Sequence, residues 1–239
     1  MPSQITQLNM NGINKDISSY ELPPTVWSDG NNVQFDNDKT SKVLGHEQIF
    51  GTLLGAPYWL LYHDTIASDY WLYPTLTKIN KVNKAGSTST HTDVTRTSGG
   101  DYSATAQGGW NGGILGGVAI LNNGSDVPQM LGESPTYCQD LSNWTVGHTA
   151  KVIRPFKRFL VALDKTESGT RYPFRVHWSH PAEGGTVPVT WDSSDATKDA
   201  GYVDLSQSNG WVKDCLPLKD TNIIYKEDSV WAMDYSGGQ

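Results

Sequence analysis

The sequence predicts an all-β protein in which antiparallel hairpins repeat as propeller-like blades, preceded by an extended N-terminal arm. Three observations predict this fold class. A unit of apolar strand, polar turn and aromatic-bearing strand recurs along the chain. The 239 residues include 9 Trp and 11 Tyr, which are residue types that favour strands. No segment of about a dozen residues keeps the apolar period of ~3.6 that a helix needs, so we expect few and short helices.

The recurring unit is clearest between residues 110 and 131. An apolar run at residues 118–121 stops at Asn122-Asn123-Gly124, and a second apolar run follows at residues 127–131. Asn-Gly between two such runs is typical of a hairpin, because both residues tolerate positive φ. Three further hairpins follow the same pattern. Their first strand, turn and second strand are residues 58–62, 64–69 and 70–73; 159–163, 164–169 and 172–178; and 223–225, 226–228 and 229–235.

Repetition of one β unit at a spacing of roughly 40–60 residues is typical of blade-repeat architectures. An ordinary β-sandwich remains an alternative, because its strands also arrive as hairpins and the spacing here is irregular. We predict an N-terminal arm over residues 1–21 and a β-rich, propeller-like domain over residues 22–239, with Pro23-Pro24 stiffening the exit from the arm. Because a propeller needs further blades, we expect the chain to be the N-terminal part of a longer polypeptide.

Charge and cysteine content restrict the classes of function. The formal net charge is -7, which disfavours tight nucleic-acid binding, since such binding depends on neutralising phosphates with Lys and Arg. An acidic surface can still line a path along which DNA passes without adhering. Cys138 and Cys215 are far apart and form no CxxC motif, so we expect free thiols. No apolar stretch approaches the ~20 residues of a membrane span and the start is polar, so we expect a soluble protein without membrane anchoring, assembled in a cytoplasm.

Histidines and glycines give no specific site signal, and we predict no metal or cofactor site. His177 and His180 form a His-x-x-His pair without an intervening Glu, which is weak evidence for zinc. The remaining histidines are dispersed, and we expect all six to be structural or surface residues: His46, His63, His91, His148, His177 and His180. The glycines at positions 112, 113, 116 and 117 are followed by no Lys-Ser/Thr, so they indicate close backbone packing instead of a phosphate loop.

Acidic residues suggest one catalytic alternative. Asp192, Asp195 and Asp199 follow Trp191, and acids beside an aromatic ring are the groups that sugar hydrolysis uses. Their spacing among Ser, Thr and Ala favours a solvated turn. No Gly-x-Ser-x-Gly, Walker or Cys–His motif is present, so we predict no catalytic residues and no enzyme.

A set of phrases from about residue 22 to the end carries a resemblance to a known family. They are PPTVWSDGNNVQF, KVLGHEQIF, YWLYPTLTKINKVN, THTDVTR, WNGGILGGVAILNNGSDVPQ, RVHWSHPAE, TWDSSDATKDAGYVDL and NIIYKEDSVWAM. In this order they resemble the N-terminal half of the tail-nozzle (tail tubular, packaged-DNA stabilisation) proteins of short-tailed bacteriophages.

This resemblance implies a structural virion protein and transfers no catalytic motif. It implies a β-propeller-containing subunit of a ring, usually six-fold, below the portal and its head-to-tail adaptor. The ring lines the exit channel, retains the packaged genome DNA without sequence-specific binding, and docks tail fibres or spikes. The expected location is the virion tail, with assembly in the host cytoplasm. Two alternatives from other classes are a carbohydrate-binding or carbohydrate-cleaving propeller and a β-sandwich adhesion module.

Overall fold

The computed structural model describes residues 12–36, 39–45, 47–66, 69–85, 87–107, 109–133 and 135–236. The chain divides into two compact units, Met1–Ile49 and Phe50–Gln239. The described residues contain 17 strands and no helix, and every named strand pair is antiparallel, which confirms the all-β prediction. Accordingly, no described helix has the length and apolar character to cross a membrane.

The first unit contains one hairpin, formed by β1 (Val33–Asp36) and β2 (Lys39–Lys42). Of the predicted arm, residues 1–11 lie outside the described part of the chain, as does His46. Residues that follow them pair within the unit: the Asn14 N–H donates to the Trp27 carbonyl at 2.9 Å, and the Trp27 N–H donates to the Gly12 carbonyl at 2.9 Å. Trp27 also meets Phe35 of β1 edge to face.

The second unit contains four antiparallel sheets, each built from strands that are consecutive in the chain. Sheet I contains β3 (Leu61–His63), β4 (Tyr70–Pro74), β5 (Ile79–Ala85) and β6 (Thr88–Asp93). Sheet II contains β7 (Asn111–Leu115), β8 (Val118–Asn122), β9 (Gln129–Leu131) and β10 (Gln139–Asp140). Sheet III contains β11 (His148–Phe156), β12 (Phe159–Glu167), β13 (Thr170–Trp178) and β14 (Gly201–Asp204). Sheet IV contains β15 (Val212–Leu218), β16 (Thr221–Lys226) and β17 (Val230–Asp234).

Sheets I, II and III pack against one another in chain order, because strand β8 is apolar on both faces. Ala119 and Leu121 lie in a core cluster with Leu72 of sheet I. Ile120, on the opposite face of the strand, lies in a second cluster with Leu160 of sheet III. Successive strand residues point to opposite faces, so an unbroken apolar run is what a sheet buried on both sides requires.

The same alternation continues from sheet III to sheet IV. On β12, Leu160 and Ala162 face sheet II, whereas Val161 and Leu163 pack with Ile224 of sheet IV. Each such fully buried aliphatic side chain contributes roughly 1.5–3 kcal/mol to the free energy of unfolding. The two cysteines are buried free thiols in different clusters, Cys138 in the one shared by sheets I and II and Cys215 in the one shared by sheets III and IV.

The predicted close approach at the glycine-rich stretch is present between β7 and its neighbours. Gly112 has φ +141°, and a Cβ there would lie 2.0 Å from the Ile120 carbonyl oxygen. A Cβ on Gly113 would lie 2.7 Å from Pro155 Cγ of β11. A side chain at Gly112 would meet β8 of the same sheet, and one at Gly113 would meet β11 of sheet III, so both positions exclude side chains.

The four predicted hairpins are present, but the first strand of one is Leu61–His63 instead of residues 58–62, and two turns were placed wrongly. Residues 164–169 were expected to form a polar turn, whereas β12 continues to Glu167 and only Ser168 and Gly169 form the turn. Both have positive φ, 47° and 89°, as in the tight turns that match strand twist. Asp164 and Lys165 are therefore buried strand residues. Lys226 also belongs to its strand, β16, where it is buried.

Candidate functional site

The densest group of charged side chains in the second unit surrounds a polar cavity of about 600 Å³ beside sheet III. We call it the charged pocket. Its walls come from β11, β12, β13, β14 and the segments that flank them. The lining residues are Asn143, Thr145, His148, Lys165, Glu167, Tyr172, Arg175, His177, Thr190, Trp191, Asp192, Ser193 and Tyr202.

A β-bulge places the charged residues of β12 in this pocket. The pairing of β12 with β13 shifts register between Leu163 and Lys165, at Asp164, which has φ 49°. In an unbroken strand Lys165 would share a face with Leu163, because residues two apart point the same way. At this irregularity Asp164 alone lies opposite residues 173–175 of β13, and the alternation of β12 is reversed. Lys165 and Glu167 therefore lie on the face of His177. Asp164 itself is held by Arg171, whose Nε donates to the Asp164 carboxylate at 2.7 Å.

Lys165 and His177 form the innermost part of the pocket. Lys165 is 1% exposed, and its Nζ lies 2.8 Å from His177 Nδ1. His177 Nε2 lies 2.9 Å from the Trp191 carbonyl, so the neutral ring donates there from Nε2 and accepts the lysine proton at Nδ1. Burial and the neighbouring Lys165 charge lower the pKa of His177 to about 4, which keeps the ring neutral near pH 7. Burial likewise lowers the pKa of Lys165.

Glu167 connects this lysine to a second cation. One carboxylate oxygen lies 3.1 Å from Lys165 Nζ, and the other lies 3.1 Å from an Arg175 terminal nitrogen. Burial acts against the carboxylate charge, but the two cations together hold the pKa of Glu167 below its ordinary value. Arg175 also donates two hydrogen bonds to Asp204, at 2.9 and 2.8 Å, which raise the guanidinium pKa. Lys165, Glu167, Arg175 and Asp204 thus form one network of two cations and two carboxylates.

Aromatic rings enclose the charged groups. The Arg175 guanidinium lies over the ring of Tyr172 at 3.9 Å and over the ring of Tyr202 at 4.0 Å. Lys165 Nζ lies 5.5 Å from the ring centre of Trp144, within the range of a cation–π contact. Tyr202 is 49% exposed, so much of its ring faces solvent at the pocket mouth.

Two polar nitrogens of the pocket residues are buried without a hydrogen-bond partner. They are Nε1 of Trp191 and Nδ1 of His148. Trp191 as a whole is only 3% exposed, and its neighbours Trp144 and His177 contact it edge to face. Buried donors without partners are rare in folded proteins, so such a group needs a physical reason.

The acidic residues that suggested a sugar site do not form one together. Asp192 accepts from Ser194 N at 2.9 Å and Asp195 accepts from Thr197 N at 2.9 Å, as in turns closed by an Asx side chain. These turn contacts lower the pKa of both carboxylates. Asp192 does line the charged pocket, but Asp195 and Asp199 do not. Lys165, Glu167 and Arg175 contribute the charge there, and none of the three was among the candidate residues predicted from the sequence.

The remaining described histidines have structural partners. His63 bridges the Tyr70 hydroxyl and the Gly117 carbonyl, each at 2.8 Å. His91 bridges the Tyr73 hydroxyl and the Phe50 carbonyl. His180 Nδ1 accepts from Asp199 N at 3.1 Å, so the His-x-x-His pair is divided between two separate contacts. Within the described ranges, no group of at least three His, Cys, Asp or Glu side chains is placed to hold a metal ion.

A second surface of possible functional importance is the outer face of sheet IV, the face that points away from sheet III. Cross-strand pairing joins Leu216, Ile223 and Ala232 on this face, next to Tyr225 and Val230. The large side chains are exposed, 63% for Val230 and 65% for Leu218. The face therefore carries apolar residues at positions that sheets II and III bury.

The chain matches no family model, and no curated protein matches it significantly.

Proposed function

We propose that the chain is a structural virion protein, a subunit of the ring that forms the tail nozzle of a short-tailed bacteriophage. The observation that carries this proposal is the succession of small antiparallel sheets, each made of consecutive strands and packed face to face with the next. Propeller blades are small antiparallel sheets of consecutive strands, and we propose that the sheets of this chain are blades arranged around an axis. The ordered set of sequence phrases that resembles the nozzle family supports it independently.

The outer face of sheet IV is the assembly surface in this proposal. Exposed apolar patches on one face mark surfaces that contact protein. Leu216, Leu218 and Val230 are half exposed or more, on a face equivalent to those that sheets II and III bury. In the assembled particle we propose that β-structure of the same ring covers this face. The adaptor, portal and fibre partners implied by the resemblance belong to the same proposal.

The charge of the chain suits a wall of a DNA channel. A net charge of -7 repels phosphates, so a ring of such subunits lets the genome pass without strong adhesion. The basic side chains described in sheet III are largely paired with acids, as in the Arg154–Asp214 and Arg175–Asp204 contacts. Paired cations contribute little to the release of counterions that drives DNA binding.

The size of the purified protein tests the proposal. We expect a ring, six-fold in the family pattern, in mass photometry and in negative-stain images. Replacing Leu218 and Val230 with Lys should reduce the ring to smaller species with an unchanged unfolding midpoint, since both side chains are exposed. Val146→Lys, at a residue that is 91% exposed outside sheet IV, is the matched control and should leave the ring intact. A wild-type protein that stays monomeric at high concentration contradicts the proposal.

The alternative of a carbohydrate-binding module keeps one specific observation in its favour, the charged pocket. Asp192 and Asp195 accept hydrogen bonds within turns, and Asp195 and Asp199 do not line the pocket, so hydrolysis has no support from the three acids. Binding without cleavage is argued below on other residues.

A further inference from the structure

We propose that the charged pocket binds a neutral saccharide. The pocket is formed by sheet III and its flanking segments within one chain, so this proposal stands whether or not the chain assembles into a nozzle ring. Three features of the pocket support it: the charge balance, the aromatic rings and the unpartnered polar groups.

The charge balance excludes a strongly charged ligand. Lys165 and Arg175 are both paired with Glu167, and Arg175 is also paired with Asp204. No cation of this network is left over to neutralise a phosphate or a carboxylate. A divalent cation would have to compete with two buried positive groups for the same carboxylate, which is unfavourable. The occupant that fits is therefore uncharged and polar.

Hydroxyl groups match the hydrogen-bonding capacity that remains. An ionised carboxylate offers about four acceptor positions, and the contacts with Lys165 and Arg175 occupy one on each oxygen of Glu167. The Glu167 side chain is 23% exposed, so the remaining positions can be reached from the cavity. Asp192 and Ser193 are exposed residues that also line the pocket. Rigid, paired side chains of this type hold adjacent hydroxyls at little cost in conformational entropy.

The exposed tyrosine surface suits the apolar C–H face of a sugar ring. The Tyr202 ring is fixed on Arg175 at one side yet 49% exposed, and Tyr172 stands beside the same guanidinium. Rings held in this way present a flat apolar platform next to polar groups. The cavity of about 600 Å³ lies within the ~300–1,000 Å³ that small-molecule sites occupy. One or two sugar units fit this space.

The two unpartnered nitrogens give the pocket unused polar capacity. Trp191 Nε1 is a donor, and His148 Nδ1 is an acceptor or a donor according to tautomer. Burial lowers the pKa of His148, which favours its neutral form. A ligand hydroxyl can both donate and accept, so it can satisfy either group after a small side-chain movement.

The test uses the full chain and a panel of neutral sugars: glucose, galactose, mannose, N-acetylglucosamine, rhamnose and disaccharides of these. Saturation-transfer NMR and tryptophan fluorescence should detect saturable binding of at least one sugar, with a Kd on the order of 1 mM. Tyr202→Ser should weaken that binding at least about tenfold by removing the platform. Tyr137→Ser, at a similarly exposed tyrosine outside both the pocket and sheet IV, is the matched control and should bind as the wild type does. Unfolding midpoints are measured for both variants.

Three outcomes overturn the proposal. The first is the absence of saturable binding across the panel at about tenfold above 1 mM. The second is equal binding by wild type and a folded Tyr202→Ser variant, which would place any sugar elsewhere. The third is saturable binding of inorganic phosphate that competes with the sugar and depends on Tyr202, which would assign an anion to the pocket. Ring formation is measured on the same samples, so failure of the nozzle proposal is distinguishable from failure of this one.

Discussion

Glu167 pairs with two cations at the pocket, and replacing it should lower the free energy of unfolding because both ion pairs are lost. In Glu167→Gln, Lys165 and Arg175 lose their shared anion while the shape is retained. Leaving a buried charge unpaired costs about 3–5 kcal/mol, and the partial exposure of Glu167 reduces this to about 2–3 kcal/mol. Chemical unfolding measures the difference. Glu183→Gln, which breaks the exposed ion pair with Arg158, should change stability by no more than about 0.5 kcal/mol. Equal effects of the two substitutions would contradict this account.

His177 makes the fold sensitive to acid. Its pKa is lowered to about 4 by burial and by Lys165, whereas an unfolded histidine titrates near 6.5. Between these values the unfolded chain binds a proton that the folded chain refuses, so stability falls as the pH decreases from 6.5 to 4. The loss from this group is complete at about pH 4 and amounts to at most about 3 kcal/mol.

The measurement is the free energy of unfolding from pH 7 to pH 4 for the wild type and for His177→Asn. Glu167 sits beside His177, and its lowered pKa adds a loss of the same sign at still lower pH. The slope of the variant should therefore be shallower by about one proton between pH 6.5 and 4.5 and converge with the wild-type slope below that. Parallel slopes throughout would show that His177 does not carry the titration.

At the scale of elements, the turn between β12 and β13 determines how these two strands pair, and both strands line the charged pocket. Gly169 has φ +89° and Ser168 has φ +47°. Gly169→Ala should lower stability by about 1 kcal/mol or more, because an L side chain is strained there. Ser168→Asn should raise it by about 0.5 kcal/mol, because Asn tolerates the left-handed region better than Ser. Thermal unfolding compares the two, and a change of the same sign in both would be incompatible with this turn geometry.

Hairpins were predictable here because apolar runs and turn residues are local signals. Val118 to Leu121 and Ile223 to Tyr225 lie in strands as predicted. The pocket was not predictable, because Asp164, Lys165 and Glu167 have the composition of a solvated turn. Burial of these residues depends on ion pairs with Arg171 and Arg175 on the adjacent strand β13, and these pairs form only once the hairpin is in register. The bulge at Asp164 also reverses the strand alternation, and no single-sequence pattern records a bulge.

At the scale of the whole chain, the order and packing of the sheets are more predictable from sequence than the contacts between subunits. Each sheet uses consecutive strands, so its order follows from the hairpins alone. Packing of the sheets follows from apolar runs such as residues 118–121, which have no polar face to expose. Assembly has no comparable local signal: Leu218 and Val230 resemble core residues in sequence, and only the fold shows that they lie on an uncovered face. The proposed role as a ring subunit therefore has to be tested by measuring the size of the assembled particle.

The N-terminal arm is the part of the chain for which the nozzle proposal makes the sharpest assembly prediction. We expect residues 1–20 to contact a neighbouring subunit or the adaptor, because their apolar side chains are too few to form a core of their own. Deleting them should reduce ring formation, measured by mass photometry. The unit from Phe50 to Gln239 has its own three core clusters, so its unfolding midpoint should be unchanged. Normal rings from the deletion variant would reject the role of the arm. A lowered midpoint together with lost rings would instead make the arm part of the fold, because assembly then fails through unfolding and not through a missing contact.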